Sequence, residues 1–170
     1  MWTTIALEAE RESPLWGAAR RADVEREPIF SRLADERFAL AIETIYEGYL
    51  THYGRPRLFE PGDADTRLLL GDYLYAHGLQ RMTALSELAA VADLAELISL
   101  CAQVRAAGGH GDGEAWAATA AHLGQNDGLA EARARLRDAG DASALAALAR
   151  AASGDAAVEQ AIAAHLARLR

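Results

Sequence analysis

The chain has 170 residues, 51% of them apolar, with 25 acidic against 17 basic side chains and a net charge of −8. That is enough length and apolar content for one domain around its own core, and it excludes a disordered chain. Every basic side chain is Arg and none is Lys. So acidic a balance argues against nucleic acid as a partner, because backbone binding rests on clustered Lys and Arg.

Cys101 is the single cysteine and has no internal disulfide partner. It falls in an apolar helical run, where a free thiol behaves as a small buried hydrophobe; a reducing, cytoplasmic setting is expected. Met1 to Glu12 carries acids at positions 8, 10 and 12 and has no long apolar core, so it does not read as a signal peptide. The longest apolar stretch, Ala84 to Val104, is broken by Glu87, Asp93 and Glu96, which leaves no transmembrane segment.

Alanine and leucine dominate and β-branched residues are sparse, a composition that predicts helix nearly throughout. Ser13-Pro14 is a helix start, with a short helix to about Val24. A second helix is predicted from Ser31 to His52, with Leu33, Phe38, Ile42, Ile45, Tyr49 and Leu50 recurring at helical steps. Gly54-Arg55-Pro56 and Pro61-Gly62 break it, and Asp63 or Asp65 caps a third helix that runs to about Gly78. A long, nearly all-apolar helix is predicted from Thr83 to Ala107. With so little polar face it should be buried in a core or pack on a partner chain, through Leu85, Leu88, Val91, Ala92, Ala95 and Ile98. The glycine-rich run 108–113 reads as a flexible hinge. Beyond it lie three Ala-rich helices, over 113–123, 128–139 and 142–152, and a last one over 155–169, with Gly140 and Gly154 as stops.

Two segments carry a resemblance. Ala41-Ile42-Glu43-Thr44-Ile45-Tyr46-Glu47-Gly48-Tyr49-Leu50-Thr51-His52 and Leu69-Leu70-Gly71-Asp72-Tyr73-Leu74 resemble two consecutive helices of the trans-polyprenyl diphosphate synthases. Gly54-Arg55-Pro56 is similar to the Gly-Lys-Pro that follows that family's first aspartate motif. The segments 128–136 and 144–150 resemble its C-terminal helices. The resemblance implies an all-α fold, a truncated isoprenoid-synthase-like helical bundle in a single domain over residues 1–170.

The departures shape what it implies for function. Tyr53 and Gly54 stand where the family has its first two metal-binding aspartates, the second aspartate motif is absent, and the N-terminal diphosphate-binding basic motif has no counterpart, Arg20-Arg21 being the nearest basic pair in a different context. Prenyl transfer ionises an allylic diphosphate, and the leaving group needs divalent metal held by several carboxylates. The chain is therefore expected to be inactive on its own and to need no cofactor, with Mg²⁺ entering only if a partner supplies the aspartates. The resemblance implies a non-catalytic, regulatory subunit that pairs with a catalytic polyprenyl synthase in isoprenoid or quinone side-chain synthesis.

Two other readings stand beside it. One is a homodimeric helical protein that holds a prenyl chain or other lipid without turnover, with Tyr49, His52, Tyr53, Arg55 and Tyr73 as ligand-binding residues. The other is a helical protein-interaction adaptor. A metal site at Asp63 and Asp65, close to the lost motif, is weighed against a capped helix start, and the cap is preferred. His77, His110, His122 and His165 lack metal-ligand spacing, the glycine run lacks a phosphate-loop ending, and Glu43 and Asp72 are expected to make structural hydrogen bonds.

Overall fold

The computed structural model describes residues 1–24, 26–125 and 128–169; among them there is an all-α bundle and no strand. An N-terminal helix that the sequence did not announce, α1 (Trp2–Glu12), buries Ile5, Ala6 and Ala9. Ser13 then accepts a hydrogen bond from the N–H of Leu15 at 3.2 Å and caps α2 (Pro14–Ala18). That helix stops short of Val24. Ala19 and Arg21 instead pair through their backbones with Glu60 and Leu58.

The predicted long helix from Ser31 starts later. Residues 31–33 and 36–38 form two 3-10 turns, the second capped by Asp35, and α3 (Ala39–Tyr53) follows. Asp63 caps α4 (Ala64–Ala84): its two oxygens accept from the backbone N–H and the hydroxyl of Thr66, each at 2.8 Å. This helix does not end at Gly78, because the glycines serve a close crossing of α3 and α4. A methyl on Gly48 would lie 3.0 Å from the carbonyl oxygen of Gly71, one on Gly71 would strike the His52 ring, and one on Gly78 would strike Ile45.

Leu85 to Glu87 form a turn, with Ser86 at a φ of +60°, so the expected helix from Thr83 is divided and α5 spans Leu88–Ala106. The fully buried helix is α3 rather than α5. Every residue from Ala41 to Thr51 is buried, Glu43 and Glu47 included. By contrast α5 turns Ala90, Leu94, Leu97, Leu100, Cys101 and Val104 inward, and Asp93 and Glu96 pair with Arg133 and Arg137. Its exposed positions are mostly alanine, which a solvated helix face tolerates well.

The glycine-rich run is a short connection. The N–H groups of Gly108 and Gly109 bond the Arg105 and Val104 carbonyls, and α6 (Asp112–Ala121) begins within the run. The helices α7 (Leu129–Ala139), α8 (Ser143–Ser153) and α9 (Asp155–Leu169) match the expected spans closely. Gly140 and Gly154, at φ of +67° and +82°, stop α7 and α8 where a side chain would be strained.

The main core joins α3, α5, α6 and the C-terminal helices around Phe30, Tyr46, Tyr49 and Trp116. A smaller cluster joins Ile5, Ala9 and Ala19 to Leu58, Phe59, Leu70 and Leu74. No described helix is long and apolar enough to cross a membrane.

Candidate functional site

The C-terminal half of α3 holds most of the expected ligand-binding residues, and the fold uses them for packing. Tyr49 is buried; its hydroxyl donates to Asp112 and accepts from Arg105 Nε at 2.9 Å. Burial and the neighbouring Asp112 carboxylate push the Tyr49 phenol far above its ordinary pKa, so it serves as a donor and not as a phenolate. Tyr53 packs on Tyr49 with ring centroids 5.2 Å apart and on His52 at 5.6 Å. His52 stacks on Tyr75 at 5.1 Å and has Nε2 3.2 Å from Asp72 Oδ1. Burial holds the His52 imidazole below its usual pKa despite Asp72.

Arg55 is exposed. Its guanidinium donates to the Ala167 carbonyl and its backbone N–H to the Arg168 carbonyl at 3.0 Å, so it closes the C-terminus of α9. Tyr73 lies elsewhere. It stacks on Trp16 at 4.2 Å in the smaller cluster, because residues 73 and 75 fall on different sides of α4. Of the five expected ligand-binding residues, Tyr73 therefore does not converge with the other four. A surface cavity of about 430 Å³ does adjoin His52, lined by Gly62, Asp63, Ala64, Arg67 and Leu68.

Asp63 is committed to its cap, and Asp65 sits exposed in the first turn of α4. Among the described residues no group of three or more His, Cys, Asp or Glu side chains is placed to hold a metal ion. At position 54 a carboxylate would not fit: a Cβ there would lie 2.9 Å from the Arg168 carbonyl oxygen.

Two buried polar clusters emerge that sequence reading found only in part. In the first, Arg57 Nη1 bonds Glu43 Oε2 at 2.5 Å and Nε bonds Glu47 Oε2 at 3.0 Å, with all three side chains wholly buried. Glu43 also accepts the N–H groups of Ile29 and Ser31, and Glu47 those of Arg57 and Leu58. The Arg57 guanidinium lies between the Trp2 ring at 4.6 Å and the Tyr46 ring at 5.0 Å. Glu43 was expected to be structural; nothing in the local pattern announced Arg57.

In the second, Asp112 Oδ2 meets Tyr49, Arg105 at 2.7 Å and His165 Nε2 at 3.3 Å, while His165 Nδ1 faces the Tyr46 hydroxyl at 3.0 Å. Burial alone would raise the Asp112 carboxyl, but the hydrogen bonds from His165 and Tyr49 and the Arg105 charge hold it well below the usual carboxylate range. A chain of Asp, His and Tyr could in principle relay a proton. Here Asp112 and His165 are buried and bonded to one another, and neither lines the cavity at His52 or the one of about 400 Å³ at Arg55. The arrangement ties α3, α5, α6 and α9 together. Asp112 and His165 were missed because one lay in an apparent linker and the other stood alone on an Ala-rich helix.

The residues expected at an interface lie along α5 and, for Leu85, in the turn before it, and the fold covers them unequally. Leu88 is 74% exposed and Leu85 42%, Ala92 and Ala95 are exposed, and Val91 and Ile98 are half-buried. On α4, Leu68 and Leu69 are 54% and 58% exposed. Comparison with protein families, curated proteins and solved structures finds no match to this chain.

Proposed function

We propose that the chain is a non-catalytic helical subunit that pairs with a second protein through α5 and the exposed leucines of α4. The observation that carries this reading is the row Leu88, Val91, Ala92, Ala95 and Ile98, which repeats at steps of three and four along one side of α5 and is left open to solvent or half-covered. The structural use made of Tyr49, His52, Asp63 and Asp112 supports the non-catalytic part, since each of these side chains is engaged in packing or capping.

The finer reading is a partner that is a catalytic polyprenyl diphosphate synthase, in a cytoplasmic pathway to isoprenoids or quinone side chains. It rests on the resemblance of residues 41–52 and 69–74. The tight crossing of α3 and α4 at Gly48, Gly71 and Gly78 supports treating those two segments as one kept scaffold. A free, buried Cys101 fits a reducing setting.

Co-expression with a synthase carrying both aspartate motifs tests the reading. Co-purification, a shift in product chain length, and loss of both in Leu88→Glu with unchanged helix content are the expected results. No complex and unchanged products would overturn the synthase assignment. A dimer of the chain alone, dispersed by Leu88→Glu, would assign the face to a second copy.

A further inference from the structure

The first eighteen residues lie outside the main core. The side chains of α1 and α2 enter only the smaller cluster, with Leu58, Phe59, Leu70, Leu74 and Tyr73, and none joins the main core. Their ion pairs lie near the surface. Glu8 on α1 pairs with Arg81 and, at 2.9 Å, with His77, and Trp16 on α2 stacks on Tyr73. Where they end, Ala19 and Arg21 are held by backbone bonds to Glu60 and Leu58, which makes a natural hinge.

What the two helices cover is unusual. The Trp2 ring closes one side of the Arg57 guanidinium, which is buried with two carboxylates against its single positive charge. Burying charge carries a desolvation cost that water would relieve. Lifting α1 exposes apolar surface, and hydration of the Arg57–Glu43–Glu47 cluster offsets part of that loss. An eleven-residue helix is also marginal without its tertiary contacts, so α1 depends on the burial of Ile5, Ala6 and Ala9, on the Glu8 pairs and on Trp2.

We propose that α1 and α2 form a displaceable strap that opens as a unit about Ala19–Arg21 while the bundle from α3 to α9 stays folded. Opening uncovers Arg57 and the Leu70, Tyr73 and Leu74 side of α4. Resting on the pairing role above, the uncovered side enlarges the apolar surface at Leu69, one turn before Tyr73, so the strap regulates how much of α4 a partner can reach.

Hydrogen exchange on the full chain, read by mass spectrometry, tests the strap without any partner. Amides of residues 2–18 should open on the order of thirtyfold more often than those of α3, and Glu8→Gln should speed them several-fold more with α3 unchanged. Exchange of α1 as slow as that of α3 would overturn the proposal.

A second measurement uses the tryptophans. In Trp116→Phe the remaining indoles, Trp2 and Trp16, both lie on the strap. Their emission should shift at lower urea than the helical signal; coincident transitions would overturn the strap. Neither readout depends on the pairing role, so the strap can stand if co-purification fails, and the pairing role can stand if the strap fails.

Discussion

The two buried polar clusters do the same kind of work over different distances. The Arg57 cluster is local: Glu43, Glu47 and Arg57 lie within fifteen residues of one another and fasten two loops, at 29–31 and 57–58, onto α3. The Asp112 cluster is distant in sequence: residues 46, 49, 105, 112 and 165 come from four helices and lock the bundle from within. In the first, two carboxylates share one guanidinium and backbone donors. In the second, one carboxylate collects donors from three side chains. The difference teaches which partner is indispensable, the lone cation in one cluster and the lone anion in the other.

The largest effect should follow Arg57→Ala, which strands two buried carboxylates. Removing one member of a buried ion pair costs about 3–5 kcal/mol, and the upper end is expected here. Urea unfolding would measure it; a loss below about 1 kcal/mol would mean that the backbone donors alone support both carboxylates.

Asp112→Ala should cost about 3 kcal/mol, since it leaves Tyr49, Arg105 and His165 without their shared acceptor. The conservative Asp112→Asn should recover part of that loss. Because this cluster spans the bundle, exchange should rise together in α3, α6 and α9. A rise confined to α6 would break the contrast drawn between the two clusters.

The smallest effect is on pH dependence. The Asp112 carboxyl is held below its ordinary range in the folded protein, so its stabilisation is fully present above an unfolded carboxylate pKa of about 3.9 and is lost as pH falls below it. Unfolding free energies of the wild type and Asp112→Asn should therefore converge as pH drops through that window. A constant difference between pH 6 and 3 would remove Asp112 from the acid response.

Helix positions were legible where punctuation was strong. Gly140 and Gly154 fixed the ends of α7 and α8, and Asp63 the start of α4, since capping chemistry is local. Two kinds of error remained. Residues 31–38 carry helical periodicity, but Ala34 is extended and Asp35 caps a new turn, so the segment is divided into two 3-10 turns. Gly78 looked like a stop but is a contact point with Ile45. Of the candidate residues, Tyr49, His52, Tyr53 and Arg55 do gather near the end of α3, while Tyr73 faces Trp16 on another side of α4, which its place on the helix did not reveal without the fold.

Composition and periodicity by themselves determined that the chain is helical, that it carries its own core, and that the segment of α5 is mostly apolar. Only the tertiary structure decided that α3, with its two glutamates, is the buried helix, and that α5 keeps Leu88 in solvent. The reason is physical. A glutamate enters a core only when the fold delivers a cation and free N–H groups to it, and Arg57, Ile29, Ser31 and Leu58 reach α3 from loops whose course no local pattern specifies.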